Sequence, residues 1–273
     1  MNKNERAKLA QLTIEISRRG WYFVGAERVA FNNEKISEVW TKDHLEILVQ
    51  KEPVKNNYLK VVSETCNEST VDTVLALQRM NINGKLVGVL NFASAYNPGG
   101  GFINGSMAQE EALAYASDLY YQQQGSPYYE INKKEKSKCY TDTAIYSRVT
   151  FFRDSDFNLV SIPYAVNVVT CPAVNMTALR NKGANLAVAE KVMYERMQKV
   201  LCLFVEKGCS TIVLGAWGCG VFGNNPKTIA DNWHRLLCEE GYSKYFERII
   251  FSVLDNGKSN NFVIFKNIAK GFR

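Results

Sequence analysis

The sequence predicts an α/β fold built on a mixed, largely parallel sheet. Three observations carry this. Strand-like apolar runs alternate with amphipathic helical segments; two of the runs are mostly apolar; and each of those two leads through a glycine-rich loop into a helix. Taken in order, a helix is expected over 3–19, because Leu9, Ala10, Leu12 and Ile16 recur at helical spacing and Gly20 ends the run. Leu45–Val49 and Leu59–Val62 read as short strands, and Ser69 or Thr70 caps a helix reaching about Met80. Leu86–Ala93 reads as a strand covered on both faces, followed by a loop over 97–105 and a helix from Met107 or Ala108 to Gly125. The polar, lysine-rich stretch 126–142 reads as a loop. Strands are expected over 144–152, 159–162 and 165–171, then a long helix from Asn185 to Lys207 closed by Gly208. Thr211–Ala216 is a buried strand, 217–226 a loop and about 227–240 a helix, and Arg248 opens a last strand. The 273 residues, 46% of them hydrophobic, suffice for one large domain. With no internal repeat and no separating linker, residues 1–273 read as one domain with an N-terminal helical extension over about 1–45.

Composition removes several classes of function. There is no run of 18 apolar residues, and the N-terminus lacks the apolar core of a signal peptide, so a cytoplasmic protein without membrane contact is expected. The seven cysteines are odd in number and contain no CxxC pair, which argues against disulfides and structural zinc. His44 and His234 are the only histidines, too few for histidine-based catalysis or a metal centre, and no metal ligands are assigned. The formal charge of +6 suits a polyanionic ligand. Lys133, Lys134, Lys136 and Lys138 cluster around Glu135, either as a solvated loop or as a contact for a phosphate-rich substrate reaching past a cleft.

The chemistry concentrates in the two glycine loops. Open α/β sheets bind ligands at the carboxyl ends of their strands, where both loops lie. In the first, Gly99, Gly100 and Gly101 allow positive φ and close approach, and their amides can face ribose or phosphate oxygens. Gln109, Glu110 and Glu111 then fall in the first turn of the next helix. Acidic residues there also stabilise the positive helix end, which accounts for one glutamate but not for the whole pattern. Adjacent glutamates point about 100° apart on a helix, so one is expected in the cleft while the other anchors the loop or a hydroxyl. A partly desolvated carboxyl beside another carboxylate has a raised pKa and can act as acid and then base; the helix end opposes that shift. In the second loop Gly218, Gly220 and Gly223 place amides where a diphosphate could sit, and Phe222 supplies an aromatic face. The GxGxxG spacing comes too late in the chain for a nicotinamide-binding domain.

Together these segments resemble the bacterial-type poly(ADP-ribose) glycohydrolase family. The shared features are Gly99-Gly100-Gly101, a seven-residue spacer and Gln109-Glu110-Glu111; the flank Asn91-Phe92-Ala93-Ser94-Ala95; Thr170–Asn175; and the loop 218–226. The likeness spans roughly residues 60–256. It implies a macrodomain-like three-layer sandwich that hydrolyses glycosidic ribosyl bonds of ADP-ribosylated substrates without metal or redox cofactor. It implies Glu111 as general acid and base, Glu110 on ribose hydroxyls, and Val221, Phe222 and the 218–223 amides on the diphosphate and distal ribose. The expected partner is ADP-ribose or its polymer on protein, or on nucleic acid, with the chain a monomer. The alternative is a reader that binds ADP-ribose without cutting it, since the fold serves both; Glu111 discriminates, because a reader has no need of a carboxyl beside the ribose.

Overall fold

The computed structural model describes residues 1–51, 58, 60–80, 85–257 and 259–268. The chain begins with α1 (Lys3–Arg19), opened by a capping box in which Asn2 and Glu5 satisfy each other's amides, and closed by Gly20 at φ 73°. There follow β1 (Trp21–Val24), β2 (Glu27–Ala30), β3 (Ser37–Trp40), α2 (Lys42–Gln50), β4 (Val62–Cys66), α3 (Thr70–Arg79) and β5 (Val87–Phe92). Next come α4 (Gln109–Ala116), α5 (Leu119–Gln123), α6 (Pro127–Lys134), β6 (Ala144–Arg153) and β7 (Leu159–Cys171). The chain continues with α7 (Met176–Asn181), α8 (Leu186–Glu206), β8 (Thr211–Leu214), α9 (Pro226–His234), β9 (Arg248–Ser252) and α10 (Asn261–Ile268).

Seven strands form one mixed sheet in the order β3-β6-β7-β5-β8-β9-β4. The β3–β6 and β6–β7 pairs are antiparallel, and every pair from β7 across to β4 is parallel. Strand β5 shows why the sheet is buried on both sides: Val87 and Val89 enter one core with α3 and α4, while Leu90 enters the other with α2, α8, α9 and α10. The result is three layers, helix–sheet–helix, as expected. No described helix is long and apolar enough to cross a membrane.

Six local expectations are corrected. Residues 45–49 are helical rather than extended: Thr41 caps α2 through the His44 amide, and Leu45 and Leu48 are buried a helical turn apart while Ile47 faces solvent. The helix expected to run to Gly125 breaks at Ser117 and Asp118, because the Asp118 carboxylate accepts from the Thr150 amide (2.7 Å) of the neighbouring strand. The stretch 126–142 opens with a helix, capped by Ser126 with Pro127 at its first position. Residues 159–171 form a single strand; Pro163 is tolerated because it falls between the pairs Arg153–Leu159 and Phe151–Tyr164, where the register shifts. The strand read over 59–62 begins at Val62, and Leu59 lies outside the described residues. The segment 1–45 is only partly helical: β1 and β2 pair as a hairpin, and β3 forms an edge of the central sheet.

Candidate active site

Strands β5 and β8 are parallel neighbours, so their carboxyl ends bring the two glycine loops side by side. Between them lies a cleft of about 600 Å³. The first loop and the start of α4 form one wall, with Ser94, Gly100, Gly101, Gln109, Glu110 and Glu111; the second loop forms the other, with Gly218, Gly220, Val221 and Phe222. Gly99 and Gly223 do not line it. A side chain at Gly99 would meet Phe102, Ala114 and Tyr120, and one at Gly223 would meet Thr177, so both serve the turns behind the walls.

The first loop differs from expectation in one respect: its three glycine amides are all engaged by the protein. Gly99 N–H donates to Gln123 Oε1 (2.7 Å), Gly100 N–H to the Asn97 carbonyl (3.0 Å) and Gly101 N–H to Glu111 Oε1 (2.7 Å). The glycines are needed for approach rather than donation. At Gly100, φ is 61°, and a Cβ there would stand 2.6 Å from Glu111 Oε1 and 3.0 Å from Glu110 Oε2. Both carboxyl groups therefore converge on one glycine despite their divergence around the helix. Helix α1 backs the loop, with Arg6 Nε donating to the Gly105 carbonyl (2.8 Å).

The two glutamates are not equivalent. Glu110 is locked: Oε2 accepts from the Ser94 amide (2.6 Å), and Oε1 accepts from Asn91 Nδ2 (3.1 Å) and Gln123 Nε2 (3.5 Å). Burial pushes its carboxyl up to about 8 against these three donors, and the charge of Glu111 adds to the rise. Glu111 is fixed only through Oε1; Oε2 has no protein partner among the described residues and is not sealed off, so it is open to the cleft. Gln109 touches the cleft, yet both ends of its amide are engaged: Oε1 accepts from Phe92 N–H (2.9 Å), and Nε2 donates to the Leu90 carbonyl (2.9 Å) and Thr70 Oγ1 (3.3 Å). It pins α4 to the end of β5.

The second loop has the opposite character. The N–H groups of Gly218, Gly220, Val221 and Phe222 donate to no atom among the described residues. The loop is held from behind, by Asn224 Nδ2 donating to the Val174 and Gly218 carbonyls (2.8 and 3.1 Å) and by Thr177 N–H donating to the Phe222 carbonyl (3.0 Å). Four open amides on a cleft wall suit an anion. Sequence reading missed Gln123, which with Asn91 and Thr170 of the shared segments forms the buried floor beneath Glu110, and α7, which braces the second loop. Asn175 is a helix cap recognisable in the sequence; no local signal marks Gln123, whose role depends on the break at Asp118.

The family described as "Microbial-type PARG, catalytic domain" matches residues 10–154. The chain is similar in structure to the poly(ADP-ribose) glycohydrolase from Thermomonospora curvata, at 31% identity over 97% of this chain and 99% of that one, with a TM-score of 0.91. The same enzyme bound to the inhibitor ADP-HPD matches at 31% identity over the same shares, with a TM-score of 0.88. The poly(ADP-ribose) glycohydrolase from Deinococcus radiodurans in complex with ADP-ribose matches at 34% identity over 87% of this chain and 95% of that one, with a TM-score of 0.79. No curated protein matches.

Proposed function

Given that this chain belongs to the microbial-type poly(ADP-ribose) glycohydrolase family and hydrolyses glycosidic bonds of poly(ADP-ribose), we propose that Glu111 donates and then recovers the proton of that reaction. One observation supports this above others: Glu111 Oε1 is held by the Gly101 amide while Oε2 is open to the cleft. A carboxyl fixed at one oxygen and free at the other can transfer a proton without losing its place. In this reading Glu111 protonates the departing ribose oxygen as the bond to the ribosyl carbon breaks, and the electron pair leaves with that oxygen. The resulting carboxylate then takes a proton from the water that attacks the oxocarbenium-like carbon. Glu110 acts from the side: its Oε2 already accepts from Ser94 N–H and keeps a second acceptor site for a ribose hydroxyl. The open amides of Gly218, Gly220, Val221 and Phe222 take the diphosphate, and Phe222 lies against the distal ribose.

Calorimetry tests the binding half. ADP-ribose is expected to bind saturably, and AMP at least tenfold more weakly, since it leaves half of a diphosphate site empty (about 1.4 kcal/mol or more). Equal affinities would show that the amide wall is not a diphosphate site. Absence of turnover on poly(ADP-ribose), with ADP-ribose binding intact, would instead make the protein a reader.

Gly220→Val probes the same wall. Gly220 has no positive φ, and a Cβ there would meet nothing within 4 Å, so the variant is expected to fold with a melting temperature within about 2–4 °C of the wild type. ADP-ribose affinity is expected to fall at least tenfold, because a β-branched side chain would stand between the ligand and the open amides. A folded variant with unchanged affinity would remove this wall from the binding site.

A further inference from the structure

We propose that Lys138, Tyr96 and Tyr140 form a second subsite beside the cleft, which takes the diphosphate and adenine of the adjoining ADP-ribose unit of the polymer. The inference rests on the functional reading above, and none of the three residues lines the main cleft. Lys138 Nζ donates to the Tyr96 hydroxyl (2.9 Å) and lies 5.0 Å from the centre of the Tyr96 ring and 5.9 Å from that of Tyr140. The two rings meet edge to face at 5.4 Å. Tyr140 is in turn 6.0 Å from Phe222, which lines the cleft. Tyr96 sits between Ser94 and Asn97, two lining residues, and the Ser94 amide is the group that holds Glu110. The patch thus borders both walls of the cleft, the first through the Ser94 turn that holds Glu110 and the second through Phe222.

The patch is built rather than incidental. Asn175 N–H donates to the Lys138 carbonyl (3.0 Å), and Asn175 Nδ2 donates to the Tyr140 hydroxyl (3.3 Å). Arg196, fully buried, donates to the Tyr140 carbonyl (3.3 Å), and Tyr140 is held at φ 59°. The charge is available: Lys138 forms no ion pair among the described residues, whereas its neighbour Lys133 pairs with Glu130. The cleft itself has no Lys, Arg or His among its described lining residues, so Lys138 is a cation next to a wall that has none. The bond that is cut joins the ribose in the cleft to the next unit of the polymer, and that unit carries an adenine and a diphosphate away from the carboxylate end. An ammonium group and the partly exposed Tyr96 ring match those two groups, while the buried Tyr140 ring holds both in place from behind. A protein side chain as leaving group would offer neither.

The test compares polymer with monomer. Lys138→Ala is expected to lower kcat/KM on long poly(ADP-ribose) about tenfold, the scale of one charge-assisted hydrogen bond. The loss should fall in KM, with a shallower salt dependence, and Kd for free ADP-ribose should stay within twofold of the wild type. Lys138→Arg is expected to restore polymer turnover, and Tyr96→Leu, on the other loop, to reproduce the selective loss. Unchanged polymer kinetics in Lys138→Ala and Tyr96→Leu would overturn the subsite. Equal losses for polymer and ADP-ribose would also overturn it, by making the patch part of the main cleft. Failure of the wild type to bind ADP-ribose would instead overturn the functional reading, and the subsite with it.

Discussion

Glu111→Gln is expected to lower turnover of poly(ADP-ribose) by about 10²–10⁴-fold while leaving ADP-ribose affinity within a few-fold of the wild type. The amide oxygen of the new side chain can still accept from the Gly101 amide, as Oε1 now does at 2.7 Å, so the loop keeps its anchor. What disappears is the proton at the free oxygen. A loss of that size corresponds to about 3–5 kcal/mol of transition-state stabilisation. Glu110→Gln is expected to behave differently. Its side chain accepts from three protein donors, and an amide cannot accept at both ends, so either the Ser94 amide or the Asn91–Gln123 pair loses its acceptor. The defect should therefore appear in stability and ADP-ribose affinity, with a smaller loss in turnover. If both residues served only the helix end, the two variants would match. Glu111→Gln turning over poly(ADP-ribose) within a few-fold of the wild type would take Glu111 out of the mechanism.

Gly100→Ala carries the second large effect. At φ 61° a non-glycine residue is strained by about 1–2 kcal/mol, and its Cβ would stand 2.6 Å from Glu111 Oε1. The carboxyl must move, and displacement of a catalytic group by about 1 Å can cost on the order of 10²-fold in rate. The expected result is a modest fall in melting temperature together with a fall in kcat of about 100-fold. Gly125→Ala separates the two causes. Gly125 has φ 73° but nothing within 4 Å of its Cβ position, so that variant is expected to share the stability loss and keep its turnover. Equal kcat in the two variants, both near the wild type, would show that the carboxyl is not held by the close fit at Gly100.

The sequence made the parallel core and the cleft legible because both leave local signatures. Strand β5 and strand β8 are apolar on both faces, and the loops that follow them announce themselves by their glycines. What was hidden depends on distant partners. Residues 45–49 are apolar enough to pass for a strand, and only the Thr41 cap and the packing of Leu45 and Leu48 under α8 decide for a helix. The break at Asp118 comes from an amide 32 residues away, at Thr150, and with it comes the placement of Gln123 under the first glycine loop. The motif allowed different roles to be proposed for the two glutamates, but not the reason their surroundings differ. It lies in which oxygen each presents to Ser94, Asn91 and Gly101. The destination of the glycine amides was likewise invisible, since spacing alone gives both loops the same look.

A cleft lined by two carboxyl groups, four open amides and, among its described lining residues, no cation would select an anionic ligand by shape before charge. Peptide dipoles cannot be titrated, do not draw in every passing polyanion, and lose little to salt compared with ammonium groups. A wall of neutral donors therefore ranks anions by where their oxygens lie rather than by how many charges they bring.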